Sequence, residues 1–255
     1  MSDLAEALWK ARNDGSLVER DVVKTPLSDD EAYAVQMALI DLSDTPLIGW
    51  KLGATTAPAL ELLGVPEPFI GPIFSGESYE SGAEVPLKFD HGPGLETEIT
   101  VILGADLPFR EEDYSRAEVE NAIAAVRPSF EIVAFRFSGG AAGAGALAIA
   151  DGGAHGAMIL GAPITDWRRF DLADYGLTLR LNDDPALESS NKVLLWEDTV
   201  DAVAWLANHP AITGRGLHAG QAVMTGTCTG LIPMSAGDSA EADFGAMGTI
   251  SVRFA

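Results

Sequence analysis

The stretch Leu95-Glu96-Thr97-Glu98-Ile99-Thr100-Val101-Ile102-Leu103 constrains the fold more than any other part of the chain. Successive side chains of a β-strand point to opposite faces. Read as a strand, the stretch puts Leu95, Thr97, Ile99, Val101 and Leu103 on one side, which suits a core. It sets Glu96 and Glu98 beside each other on the opposite side, where two like charges repel. The solvated face of an edge strand would tolerate such a pair, and a hard divalent cation would draw it together. A third acid, Glu131, stands among Phe130, Ile132, Val133, Ala134 and Phe135 in an otherwise apolar strand. A carboxylate buried there without a partner is costly, and a metal would remove that cost. Three carboxylates, completed by water or substrate, make a site of the Mg2+ or Mn2+ type. Histidine and cysteine are too few and too scattered for a zinc cage.

The chain around this strand divides by pattern. Up to residue 65 it is mostly helical. Leu4, Leu8 and Trp9 recur at helical spacing, and Ser28-Asp29-Asp30-Glu31 reads as a capped start for a helix over 32–42. A strand over 47–52 and a helix over 57–63, capped by Thr56, complete this part. Beyond Pro66 and Pro68 come short strands with Gly/Pro turns, over 69–74, 83–87 and 95–103. Val119, Ile123 and Val126 share a helical face, which predicts a helix over 115–126, with Pro128 just past it leading into a strand over 130–137. Further strands are expected over 157–160, 177–181, 222–225 and 249–254, and a helix over 200–207. The pattern predicts an α+β protein: a small N-terminal helical lobe with the first strand (1–65), then a β-rich catalytic domain with helices outside it (66–255).

Charge and composition exclude several functions. With 38 acidic against 16 basic residues, the net charge of −22 repels phosphate backbones and anionic membranes. No nucleic-acid or membrane partner is expected. The acidic N-terminus and the lack of a long apolar stretch point to a cytoplasmic protein. A single cysteine, Cys228, rules out an intrachain disulfide and has no His or Lys beside it in sequence to activate it. Gly143 and Gly145 mimic part of a dinucleotide fingerprint, but too little chain follows for a crossover helix. A glycine-rich loop or a small-residue helix is the better reading.

Several strings recur in order along nearly the whole chain: Gly49-Trp50-Lys51-Leu52-Gly53-Ala54-Thr55-Thr56, Glu96-Thr97-Glu98, Arg127-Pro128-Ser129-Phe130-Glu131-Ile132-Val133, Ala150-Asp151-Gly152-Gly153, Met224-Thr225-Gly226-Thr227, Ala236-Gly237-Asp238 and Gly248-Thr249-Ile250-Ser251-Val252-Arg253-Phe254. Together they resemble the 2-keto-4-pentenoate hydratase and oxalocrotonate decarboxylase branch of the fumarylacetoacetate hydrolase superfamily. The resemblance implies a mixed β-roll of that superfamily's C-terminal domain type, homo-oligomers, and Mg2+ or Mn2+ on acids matching Glu96, Glu98 and Glu131. It implies a catalytic lysine matching Lys51, which would pair with the substrate carboxylate or relay a proton, and substrate contacts at Asp151, Gly152 and Thr227. Substrates would be small 2-keto or 2-hydroxydienoic acids from aromatic catabolism. The activity implied is that of a hydro-lyase adding water to a 2-hydroxy-2,4-dienoate; a 2-keto diacid decarboxylase, a carbon–carbon bond hydrolase and a non-catalytic partner subunit are the alternatives.

The sequence also departs from that family's pattern. Ala134 stands where relatives often carry an aspartate, Ser75-Gly76 replaces an acidic pair, and Asp151-Gly152-Gly153-Ala154-His155 replaces Asp-Asn-Ala-Ser-Ser. His155 is a candidate general acid or base near neutral pH, or else a hydrogen-bonded loop histidine. His91, His209 and His218 are expected at the surface.

Overall fold

The structure, a computed structural model, describes residues 2–88 and 91–255. Thirteen strands run in chain order: β1 (Leu47–Gly53), β2 (Phe69–Phe74), β3 (Ser78–Glu80), β4 (Glu84–Val85), β5 (Gly94–Leu103), β6 (Ile123–Val133), β7 (His155–Leu160), β8 (Gly176–Leu181), β9 (Leu187–Ser190), β10 (Ala222–Met224), β11 (Ile232–Pro233), β12 (Ser239–Asp243) and β13 (Thr249–Phe254). The α-helices are α1 (Ser2–Asp14), α2 (Asp29–Leu42), α3 (Ala57–Leu63), α4 (Arg116–Ala122), α5 (Ala146–Ala150) and α6 (Thr199–Ala207). Eight strands form a mixed sheet in the order β2-β1-β10-β5-β6-β7-β3, with β11 also paired to β5, and five form a second sheet, β4-β13-β12-β8-β9. The first strand, β1, is thus an inner strand of the larger sheet, between β2 and β10.

Alternation along β5 decides how the layers stack. Leu95, Ile99, Val101 and Leu103 are buried in one core with Leu177, Leu179, Ala240, Ile250 and Val252 of the smaller sheet. The opposite face of the larger sheet carries Glu96, Glu98 and Glu131. The capping box on Ser28 and Glu31 starts α2 as expected, and α1, α2 and α5 enclose a second apolar cluster around Leu8, Leu39, Phe69, Phe135 and Ile149.

Two expectations fail on one feature. The helix stops at Ala122 and β6 begins at Ile123, because β5 is ten residues long and its end needs a partner: Val126 pairs with Val101 and Ala125 with Ile102. Pairing across the sheet overrides the helical spacing of Val119, Ile123 and Val126. Pro128 lies inside β6, opposite Ile99. Its carbonyl accepts the Gly161 N–H at 2.8 Å, on the side where β7 has ended at Leu160. The missing N–H of proline therefore costs no ladder bond. The strand expected over 83–87 is reduced to Glu84–Val85. His209 is buried rather than superficial; its ring packs 4.6 Å from Trp205 and Nδ1 accepts the Ala211 N–H.

An ion pair fastens α1 to the larger sheet. Arg12 grips Glu77 through Nε–Oε1 at 2.6 Å and Nη2–Oε2 at 2.8 Å, and both side chains are largely shielded from water. Burial alone would raise the Glu77 carboxyl's proton affinity, but the Arg12 guanidinium overrides it and holds the group below its usual range. Arg12→Ala is expected to cost about 3–5 kcal/mol by leaving Glu77 buried without its partner, measured by urea unfolding. Because the folded value is depressed, Glu77 adds stability above the ordinary carboxylate range. That contribution fades as pH falls through the folded value, and the variant should lose this acid sensitivity.

Candidate functional site

In the antiparallel pairing of β5 with β6, Glu96 falls directly opposite Glu131 and Glu98 opposite Ser129. Like charges directly opposite on one face destabilise a sheet, and here a third follows two residues along. One ligand oxygen from each of the three glutamates lies within 4.8 Å of the other two, so they form a cluster able to hold a metal ion. Glu98 and Glu131 are fully buried, and Glu96 is partly open. Glu98 Oε2 accepts the Gly226 N–H at 2.9 Å, whereas its Oε1 is buried with no hydrogen-bond partner.

The electrostatics reflect this crowding. Burial, then Glu131, raises the Glu96 carboxyl to about 7. Burial together with Glu131 and Glu96 pushes Glu98 well above the usual range. Glu131 is raised too, by burial, although Lys51 works against it. A hard cation bound by oxygen ligands would reverse all three shifts.

Lys51 on β1 reaches the cluster from the neighbouring strands. Its Nζ donates to the Gly153 carbonyl at 3.1 Å and lies 3.3 Å from Glu131 Oε2. Burial would favour the neutral amine, but Glu131, Glu96 and Glu98 outweigh it and keep the ammonium. Gly153 has φ near +70°, and a Cβ there would sit 2.9 Å from Lys51 Cδ. Both facts demand glycine. Gly226 has φ near +114°, and its Cβ would strike Thr55 at 2.3 Å; the bare backbone thereby brings its N–H to Glu98.

His155, at the start of β7, is fully buried with Nδ1 2.8 Å from Glu131 Oε1. Burial lowers the imidazole to about 3, so the ring is neutral. Nδ1 and Glu131 Oε1 share one hydrogen bond, in which the ring donates when Glu131 is a carboxylate. Among the alternatives left open by the sequence, the geometry is that of a hydrogen-bonded histidine fixed on a glutamate.

A cavity of about 310 Å3 opens beside the cluster. Lys51, Glu96, Gly153 and Thr227 are in its wall. Asp151 and Gly152, expected as substrate contacts, are not brought to it. Asp151 is buried against Arg136, accepting the Arg136 backbone N–H at 2.8 Å and its Nη1 at 3.2 Å. Gly152 lies between Gly71 and Arg12. Arg136 is the residue the sequence reading missed. Besides holding Asp151, its Nη2 donates to the His155 carbonyl at 2.6 Å and supports the strand that carries the imidazole. The signal was available, since an arginine between Phe135 and Phe137 is as costly to bury unpaired as Glu131. Cys228 is buried, and burial raises its thiol, consistent with an inert role.

Among the described residues, no helix is long and apolar enough to cross a membrane. Comparison with known proteins gives consistent results. The fumarylacetoacetate (FAA) hydrolase C-terminal family model matches residues 49–255. The chain is 30% identical to a 2-hydroxyhexa-2,4-dienoate hydratase of Comamonas testosteroni, over 98% of this chain and 94% of that protein. It is 28% identical to a 2-keto-4-pentenoate hydratase of Paraburkholderia xenovorans, over 99% and 94%. Among solved structures, the 4-oxalocrotonate decarboxylase of Pseudomonas putida G7, complexed with magnesium and adipate, superposes with a TM-score of 0.88 at 24% identity, covering all of this chain and 97% of that one.

Proposed function

The chain belongs to the fumarylacetoacetate hydrolase family, and from that premise we propose that it is a metal-dependent hydratase, adding water to a 2-hydroxy-2,4-dienoate to give a 4-hydroxy-2-keto acid. One observation carries this reading: Glu96, Glu98 and Glu131 bring three ligand oxygens within 4.8 Å of one another on a largely buried sheet face. The donor set is all carboxylate and suits Mg2+ or Mn2+. Glu98 Oε1, buried without a hydrogen bond, would be free to bind such a cation. When bound, such an ion supplies Lewis-acid polarisation of the carboxylate and 2-oxygen of a 2-keto acid.

The chain's own groups do the rest. Among the described residues, Lys51, kept as an ammonium by the glutamates, is the one cation in the cavity wall. It neutralises the incoming substrate carboxylate and can hand a proton to, or take one from, the dienol as charge shifts from the 2-oxygen to the far carbon. Protonation at C5, with loss of the 2-hydroxyl proton, gives the 2-keto-3-ene, and water then adds across C3 and C4, its hydroxyl to C4 and its proton to C3. Thr227 contributes a hydroxyl to the same wall. His155 orients Glu131 rather than exchanging protons with substrate, since its buried Nδ1 is committed to that carboxylate. The proposal includes homo-oligomeric assembly and a cytoplasmic location, in line with a catabolic enzyme.

Histidine partners that orient metal-ligand carboxylates matter by about 10–100-fold in metal affinity. His155→Ala is expected to weaken Mn2+ binding by that amount in calorimetry, and His155→Asn, which keeps a donor, to recover part of it. Unchanged affinity in both variants would remove His155 from this role.

Loss of carbon dioxide from a 2-keto diacid is the second reading, because it leaves the same enolate charge on the same 2-oxygen. The fold shared with the decarboxylase supports it. Ultraviolet absorbance separates the two. With Mg2+ or Mn2+ present, a 2-hydroxydienoate should lose its dienol band and yield the hydroxy-keto acid. Carbon dioxide release from a diacid, without hydration, would favour the decarboxylase. Failure to turn over any such acid with the ion bound would leave a non-catalytic partner subunit.

A further inference from the structure

Resting on the reading of the cluster as a 2-keto acid site, we infer that this enzyme selects substrates with an extended apolar tail and discriminates against those bearing a second carboxylate. The cavity wall combines buried Lys51 and partly open Glu96 with Leu62 and Leu231, which are 55% and 46% exposed. Among the described residues, its charged side chains are only Lys51 and Glu96. Both belong to the end that takes the keto acid head. The rest of the wall is largely apolar, with Phe69 close to Lys51 and with Ala59, Leu62, Leu63, Val133 and Phe135.

The other polar side chains of this wall are the hydroxyls of Thr55, Thr56 and Thr227, which carry no charge to balance a second anion. The Thr56 hydroxyl caps α3 by accepting the Ala59 N–H, and Thr227 Oγ1 donates to the Gly230 carbonyl. Arg20, whose guanidinium stacks 5.7 Å from the Phe135 ring, donates to the Gly140 carbonyl and does not line the cavity. A distal carboxylate would leave water for a surface with no cation to receive it, and Glu96 would add repulsion.

An apolar tail has the opposite balance. No residue of α3 is buried, although Leu60, Leu62 and Leu63 are all apolar. Leu62 and Leu63 line the cavity, where a tail would cover them, and the cavity volume is within the range of small-molecule sites, roughly 300–1,000 Å3. It leaves room beyond a short keto acid. Leu62, Leu63 and Phe135 are thereby specificity-determining residues.

The test compares non-reacting saturated 2-keto acids against the Mn2+-loaded enzyme by calorimetry: 2-oxopentanoate, 2-oxooctanoate and 2-oxoadipate. Affinity is expected to rise about fourfold for each added methylene, so that 2-oxooctanoate binds more than tenfold tighter than 2-oxopentanoate, with 2-oxoadipate weakest. Leu62→Arg, a change at an exposed helix position, should narrow the gap between 2-oxooctanoate and 2-oxoadipate by about tenfold. Equal affinities, or tightest binding of 2-oxoadipate, would overturn the inference while the keto acid reading stands. If none of the three binds with Mn2+ present, the keto acid reading fails and this inference with it.

Discussion

Replacing Glu98 is expected to abolish ion binding and turnover together, with kcat/KM falling by about 10³-fold or more. The Lewis-acid contribution of a bound ion amounts to several kcal/mol of charge stabilisation, and about 1.4 kcal/mol is tenfold in rate. Glu98 is fully buried, as is Glu131; the Gly226 N–H holds one of its oxygens, and the other has no protein hydrogen bond. The informative variant is Glu98→Gln, which keeps the volume and removes the charge. Its effect on folding should run opposite to its effect on catalysis. In the absence of metal, Glu98 is forced toward its neutral form by burial and by Glu131 and Glu96. A carboxyl raised in this way supports the fold fully at acid pH, and that support is lost as pH rises through its folded value. The metal-free glutamine variant should therefore melt at the same temperature as the parent or higher, and its advantage should grow toward alkaline pH. The parent should gain melting temperature on adding Mn2+, and the variant should not. Inactivity explained by a variant that melts early would count against the ligand role, as would retained turnover.

Lys51→Ala and Lys51→Met are expected to lower kcat/KM by about 10²–10⁴-fold, the range for a lost proton-transfer group, while leaving the ion in place. The sign of the metal effect follows from charge. Lys51 Nζ is 3.3 Å from Glu131 Oε2 and competes with a divalent cation for the same carboxylate. Removing it takes a positive charge away from the ion, so Mn2+ affinity should stay equal or tighten. Binding of a 2-keto acid should weaken, because the cavity wall then holds no cation. If the ion is lost with the lysine, Lys51 is part of the ligand scaffold and not of the chemistry.

How far these features are legible in the amino-acid sequence depends on whether they are local. The alternation along β5 shows which side of the strand holds Glu96 and Glu98, since the period of two needs no tertiary information. The capping box of α2 is equally local, with Ser28 and Glu31 three residues apart. The face-to-face register of Glu96 and Glu131 is not: 35 positions separate them, and only the pairing of β5 with β6 brings them together. The same pairing converts residues 123–126 from the expected helix into strand. His155 illustrates a third kind of limit. Its residue type leaves acid–base chemistry and a hydrogen-bonded histidine equally open, and its burial and contact with Glu131 belong to the fold alone. Asp151 was read as a substrate contact from the company it keeps in sequence, whereas Arg136, 15 positions earlier, claims its carboxylate. Long-range ion pairs of this kind, like Arg12 with Glu77, leave no trace in local spacing.

The account stands on one geometric claim, that three glutamates from two paired strands share a single cation. Anomalous diffraction from crystals soaked with Mn2+ and oxalate, a stand-in for the keto acid head, tests it most directly. One manganese peak should fall between Glu96, Glu98 and Glu131, roughly 2.0–2.3 Å from an oxygen of each, as oxygen-bound divalent ions require, with oxalate extending toward Lys51. A peak elsewhere, or three carboxylates left without manganese in crystals that bind it at another place, would contradict the claim.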